Sequence, residues 1–137
     1  MEEKKQRIEE RLTKLDECIA TLKKIVPRDY NAYSQLQTEY KWEVEKGVEL
    51  ISQIELDIIV QLRKIIRKAA VGEESSLVSS LSNELGNRIT EAVELRRQLR
   101  NSLIHEYALN YDKDVFKQAS NLEDVEAFEK AVKKLLQ

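Results

Sequence analysis

The stretch VEKGVELISQIELDIIVQLRKII, residues 44–66, decides the fold. Val44, Val48, Ile51, Ile54, Ile58, Leu62 and Ile65 recur at spacings of four and three, which places them on one face of an α-helix. Leu50, Ile59 and Ile66 widen that face. An apolar surface so broad predicts burial on more than one side, as the central helix of a bundle or as a helix that also serves a dimer interface. The helical pattern extends from about Ala32 to Ala70. Its end, RKIIRK (63–68), places four cations where the helix dipole favours positive charge. Dipole compensation accounts for them, and a phosphate contact is the alternative.

Upstream, Ile8, Leu12, Leu15, Ile19, Leu22 and Val26 form a second apolar stripe, close to a heptad seam, and Pro27 ends that helix. The seam is too short to sustain a separate coiled coil, so it predicts packing within the bundle. Downstream, VGEESS (71–76) reads as a loop with Ser75 or Ser76 as N-cap, followed by a short helix over Leu77–Glu84. LGN (85–87) breaks the chain, with Asn87 as the next N-cap. The following helix carries Ile89, Ala92, Val93, Leu99, Leu103 and Ile104 on its apolar face. Asp112 then caps a short helix, and Asn121 caps a last one whose stripe is Val125, Phe128, Val132 and Leu135. The result is a single domain over 1–137, an all-α, up-and-down bundle of four main helices plus short ones.

Composition agrees. Of 137 residues, 42% are hydrophobic and 35% charged, with three glycines and one proline, too little turn punctuation for a strand-rich fold. No apolar run is long enough to span a membrane. The first residues, MEEKKQRIEE, have no apolar core and do not read as a signal peptide. Cys18 is alone, so no internal disulfide or cysteine-based zinc site is expected. These features predict a cytoplasmic protein. The net charge of −2 and pI near 5.6 argue against binding nucleic acid by bulk electrostatics, while leaving room for a local phosphate site.

One stretch carries chemistry: RNSLIHEY, residues 100–107, which holds the chain's one histidine. Arg97, Asn101 and His105 are each four apart and lie along one side of a helix. Arg100 and His105 are five apart, about 140° around an ideal helix. They meet only if Arg100 reaches around, if the helix ends near His105, or if a two-fold dimer builds the site from both chains. RNA carries its own nucleophile, the 2′-hydroxyl. An imidazole can take that proton or supply one to the leaving oxygen, and a guanidinium can hold the phosphate and stabilise developing charge. Asn101 can orient His105 or hold a phosphate oxygen. Such a site needs no metal and spares DNA, which lacks the attacking group. Spacing alone leaves the bland reading open, with His105 at a helix end, Tyr107 at the core edge and Arg100 a solvated charge.

RNSLIHEY resembles the RNxxxHxY signature of the HepT-like branch of the HEPN ribonuclease superfamily, with Arg100, Asn101, His105 and Tyr107 at the four defined positions. The likeness continues in the second helix with its ELDII (55–59), in LGNRITEAVELRRQLRNSLIHEY (85–107) and in YDKDVF with the closing helix. It covers most of the chain from about Asp29 onward. It implies a HEPN-like homodimeric toxin of a toxin–antitoxin pair, with Arg100 and His105 as the catalytic pair for metal-independent RNA cleavage in a cleft at the two-fold. It implies as partner a minimal nucleotidyltransferase (MNT) antitoxin that attaches AMP from ATP to Tyr107 and silences the toxin. Asp57 aligns with an acidic position on the family's second helix and takes a supporting role, with Asn101 and Arg97. Arg96, Arg97 and Arg100 together supply local positive charge. Glu106 departs from the family, where small or neutral residues are common. Two other classes compete: a non-catalytic nucleotide- or partner-binding subunit of a nucleotidyltransferase, and a helical dimerisation scaffold.

Overall fold

A computed structural model describes residues 2–67, 74–105 and 111–137, and among these every regular element is helical. The helices are α1 (Glu2–Ile25), α2 (Tyr30–Ser34), α3 (Thr38–Arg67), α4 (Glu74–Ser79), α5 (Ser82–Leu85), α6 (Asn87–His105), α7 (Asp112–Ser120) and α8 (Glu123–Leu135). Among the described residues four helices are long and four short, in keeping with the expected all-α fold.

The central position of α3 follows from its broad apolar face. Val44, Val48, Ile51, Ile54, Ile58, Ile59 and Leu62 are all buried, and so are the polar Ser52, Glu55 and Gln61. Few residues in the middle of this helix reach solvent. α1 lies along it through Ile8, Leu12, Leu15, Ile19 and Leu22, with Cys18 buried in the same seam. α6 packs on α3 through Val93, Leu99 and Leu103, and α8 closes the core with Val125, Phe128 and Val132. At Gly47 the two longest helices come so close that a Cβ would sit 2.6 Å from Leu22 Cδ2. Apolar burial of this kind, at about 25 cal/mol per Å², supplies the main driving force for folding.

Several boundaries differ from the sequence reading. The helix expected to begin near Ala32 is two helices. Asp29 caps the short α2 by accepting from Ala32 N at 2.8 Å, and the chain turns at Gln35–Gln37 before α3 starts at Thr38. The break lets Tyr33 bury its ring against Phe116 of α7, 5.6 Å between centroids, off the line of α3. Ser75 and Ser76 lie within α4 rather than capping it, and the short helix expected over Leu77–Glu84 is interrupted at Ser80–Leu81. Asn87 is the first helical residue of α6, and the cap is Gly86, whose carbonyl accepts from Thr90 N at 3.1 Å. Gly86 also sits at φ +93°, a conformation that favours glycine. Tyr111 and Leu122, not Asp112 and Asn121, precede α7 and α8, and Asp112 instead adds charge to a first helical turn.

Candidate functional site

α6 carries most of the predicted site, and one buried ion pair lies on its inward side. Arg96 is 1% exposed and Glu55 0%. Arg96 Nε donates to Glu55 Oε1 at 2.8 Å, and its Nη2 donates to Oε2 at 2.7 Å. This two-point geometry is the strongest form of the contact. Burial pushes the Glu55 carboxyl above the usual carboxylate range, and the charge and hydrogen bonds of Arg96 oppose that rise. Arg96 therefore does not contribute surface charge beside Arg97 and Arg100. Its cation is spent inside the bundle, which corrects the sequence expectation. The signal was present in both helices. Glu55 falls between Ile51 and Ile58, and Arg96 between Val93 and Leu99, at the core positions of their own stripes.

With Arg96 pointing inward, α6 sends its other site residues to the flanks. Arg97 and Asn101 are partly exposed, and His105 is exposed at the end of the described helix. Arg97 donates to both oxygens of Glu94, at 2.7 and 2.8 Å, so it is held along the surface of its own helix. Arg100 reaches a groove of about 680 Å³ that runs over the outer face of α3. Its floor includes Leu50, Asp57 and Val60, and Arg11 and Lys14 of α1 rise on its rim.

Asp57 shares this groove with Arg100, so the structure brings two of the predicted residues together. Arg11 Nε donates a short hydrogen bond to Asp57 Oδ2, and Arg7 Nη2 lies 3.9 Å from Oδ1. Three cations and one carboxylate line the groove of a chain whose net charge is −2. His105 is not among the described residues that line it. Tyr107 and Glu106 lie outside the described residues, as does Lys68 of the cationic run that ends α3. Sequence reasoning missed Arg7, Arg11 and Lys14. They are ordinary helix-surface cations in one dimension, and only the packing of α1 on α3 places Arg7 and Arg11 beside Asp57 and Lys14 along the same groove.

Chemically, the arrangement offers guanidinium and ammonium groups to an anion along the groove, with an imidazole at the adjacent helix end. Among the described residues no group of three or more His, Cys, Asp or Glu side chains is placed to hold a metal ion. No described helix is long and apolar enough to cross a membrane. Compared with known proteins, the chain matches no family model, no curated protein and no solved structure.

Proposed function

We propose that this chain is a HEPN-type toxin, a metal-independent endoribonuclease that acts in the cytoplasm as a homodimer and is silenced by AMP transfer to Tyr107. The observation that carries the reading is the setting of RNSLIHEY. Arg100 sits in a cation-lined groove with Asp57, and His105 stands exposed on the same helix. An exposed imidazole is accessible to a bulky polymer, and a guanidinium in a groove can hold a phosphate through two donors.

In the proposed reaction the 2′-hydroxyl attacks the adjacent phosphorus, and the bond to the 5′-oxygen of the next nucleotide breaks. His105 exchanges the proton with the attacking or the leaving oxygen, and Arg100 stabilises the charge that builds on the phosphoryl oxygens. The Arg100 groove of one chain does not include His105, and the two residues are about 140° apart around α6. Pairing two copies about a two-fold lets the imidazole of one helix end face the guanidinium of the other. AMP on Tyr107, two residues beyond the histidine, would add a phosphate and bulk that block access of RNA. The MNT antitoxin is the proposed donor enzyme.

The test is cleavage of labelled RNA in EDTA. Wild type cuts, and His105→Ala and Arg100→Ala each lose about 10²-fold or more in rate. Equal cleavage by both variants overturns the reading. After incubation with the nucleotidyltransferase and ATP, the intact mass rises by one adenylyl group, and Tyr107→Phe abolishes the gain. One observation favours a second reading, a nucleotide- or partner-binding subunit: within one chain His105 stands apart from the groove. That reading predicts a stable complex with the nucleotidyltransferase and intact RNA.

A further inference from the structure

The groove over α3 is larger than one phosphate requires, and its cations stand on two sides. Arg100 of α6 enters from one side, and Arg11 and Lys14 of α1 from the other. Between them the floor is apolar at Leu50, Ile54 and Val60, with Leu50 44% exposed, and Gln53 adds an amide. Its volume of about 680 Å³ falls within the range of about 300–1,000 Å³ typical of ligand sites. A polyanion with apolar faces fits this pattern: phosphates go to the cationic rims, and the faces of the bases cover apolar surface at Leu50 and Val60.

Asp57 has a particular place in that surface. It is a carboxylate at the base of the groove, hydrogen-bonded by Arg11 and approached by Arg7, with about a third of Asp57 and of Arg11 left open to solvent. An arginine held by a partly solvated carboxylate can exchange it for a phosphate oxygen at modest cost, because both acceptors take the same donors. Lys14 is held only loosely, 3.8 Å from the exposed Glu17.

We propose that the groove between Arg11 and Lys14 of α1 and Arg100 of α6 binds single-stranded RNA flanking the cleaved bond, with Arg11 exchanging Asp57 for an RNA phosphate. Asp57 then acts as an internal competitor that keeps the groove closed to weak anions and limits affinity. The inference rests on the ribonuclease reading for its ligand but not for its measurement.

The test uses the full-length protein and a short, fluorescently labelled 2′-O-methyl oligoribonucleotide, which lacks the attacking hydroxyl, with affinity read by anisotropy over a salt series. Arg11→Ala and Lys14→Ala each weaken binding by roughly fivefold and flatten the log–log salt slope by about 0.7. Asp57→Asn tightens binding by a similar factor, an effect that damaged folding does not produce. Wild-type affinity and slope in the Arg11 and Lys14 variants, or weaker binding by Asp57→Asn, overturns the groove, and so does a wild-type protein that fails to bind. The two proposals fail separately. Binding that depends on these residues, with unmodified RNA left intact, keeps the groove and removes the nuclease. Cleavage with unchanged oligonucleotide affinity in the α1 variants keeps the nuclease and removes the groove.

Discussion

At the scale of single residues, Arg96 and Glu55 form the most consequential contact in the molecule. Two charges without solvent contact are tolerable because each satisfies the other through two hydrogen bonds, 2.7 and 2.8 Å long. The pair gives little net stability against well-packed apolar side chains, and together with Val93, Leu99 and Leu103 it occupies the side of α6 that faces α3. Arg100 lies about 40° around the helix from Arg96, so the inward turn of one residue sets the half-exposed position of the other. Removing Arg96 leaves a buried carboxylate. Arg96→Leu is expected to destabilise the fold by about 3–5 kcal/mol, whereas Glu55→Leu combined with Arg96→Leu recovers most of that loss. Urea unfolding of the two single variants and the double variant measures the cycle. A double variant as unstable as Arg96→Leu alone would show that the pair stabilises on its own account.

At the scale of elements, α1 and α3 share the most extensive contact among the described helices, and Gly47 permits their close approach. Glycine inside a helix costs about 1 kcal/mol against alanine, so Gly47→Ala would stabilise an isolated α3. In the bundle the new methyl meets Leu22, whose Cδ2 and Cγ lie 2.6 and 3.0 Å from its position, and Leu22 is itself fully buried. Overpacking of about 1–3 kcal/mol outweighs the propensity gain, so Gly47→Ala is expected to lower stability by about 1 kcal/mol. In a Leu22→Ala background the same change becomes stabilising, because the clash is gone; thermal melts of the four proteins decide it. This contact also marks what could be read in advance. The stripes of α1, α3, α6 and α8 follow from spacing, because a helix that must bury one face writes it every three or four residues, although Leu50, Ile104 and Leu135 of the expected stripes reach solvent. RNSLIHEY stood out through its likeness to a known signature rather than through spacing, which alone leaves Arg100 and His105 about 140° apart around the helix. The break at Gln35–Gln37 was not legible, because it serves the packing of Tyr33 on Phe116, which lie far apart in the sequence. The caps at Gly86, Tyr111 and Leu122 escaped for a related reason: backbone carbonyls do the accepting, and side-chain identity carries no mark of it. The cations of α1 joined the groove only through the α1–α3 register.

At the scale of the whole molecule, stability should depend on pH through a carboxyl pair that joins the first helix to the last. Glu129 of α8 is 5% exposed and lies close enough to Asp16 of α1 for the two carboxyl groups to interact. Two carboxyl groups can share a hydrogen bond only if one holds a proton. Burial first, then the bond to Asp16 and its charge, push Glu129 up to about 8, with Lys133 pulling down and Glu126 adding to the rise. In the unfolded chain this group returns to the ordinary carboxyl range, so the folded state binds the proton more tightly. The stabilisation is therefore complete at acid pH, declines once the unfolded carboxyl ionises, and is gone as pH passes through about 8. Above that, two negative charges face each other between α1 and α8, beside the Lys23–Glu126 pair that also joins these helices at 3.2 Å. Glu129→Gln keeps a donor for the Asp16 carboxylate and removes the titration. The wild type should lose on the order of 1–3 kcal/mol between about pH 6 and pH 9, while the glutamine variant stays flatter over that window and exceeds the wild type at its alkaline end. Melting temperature against pH for both proteins checks this, and parallel curves would show that the proton on Glu129 does not hold the ends of the bundle together.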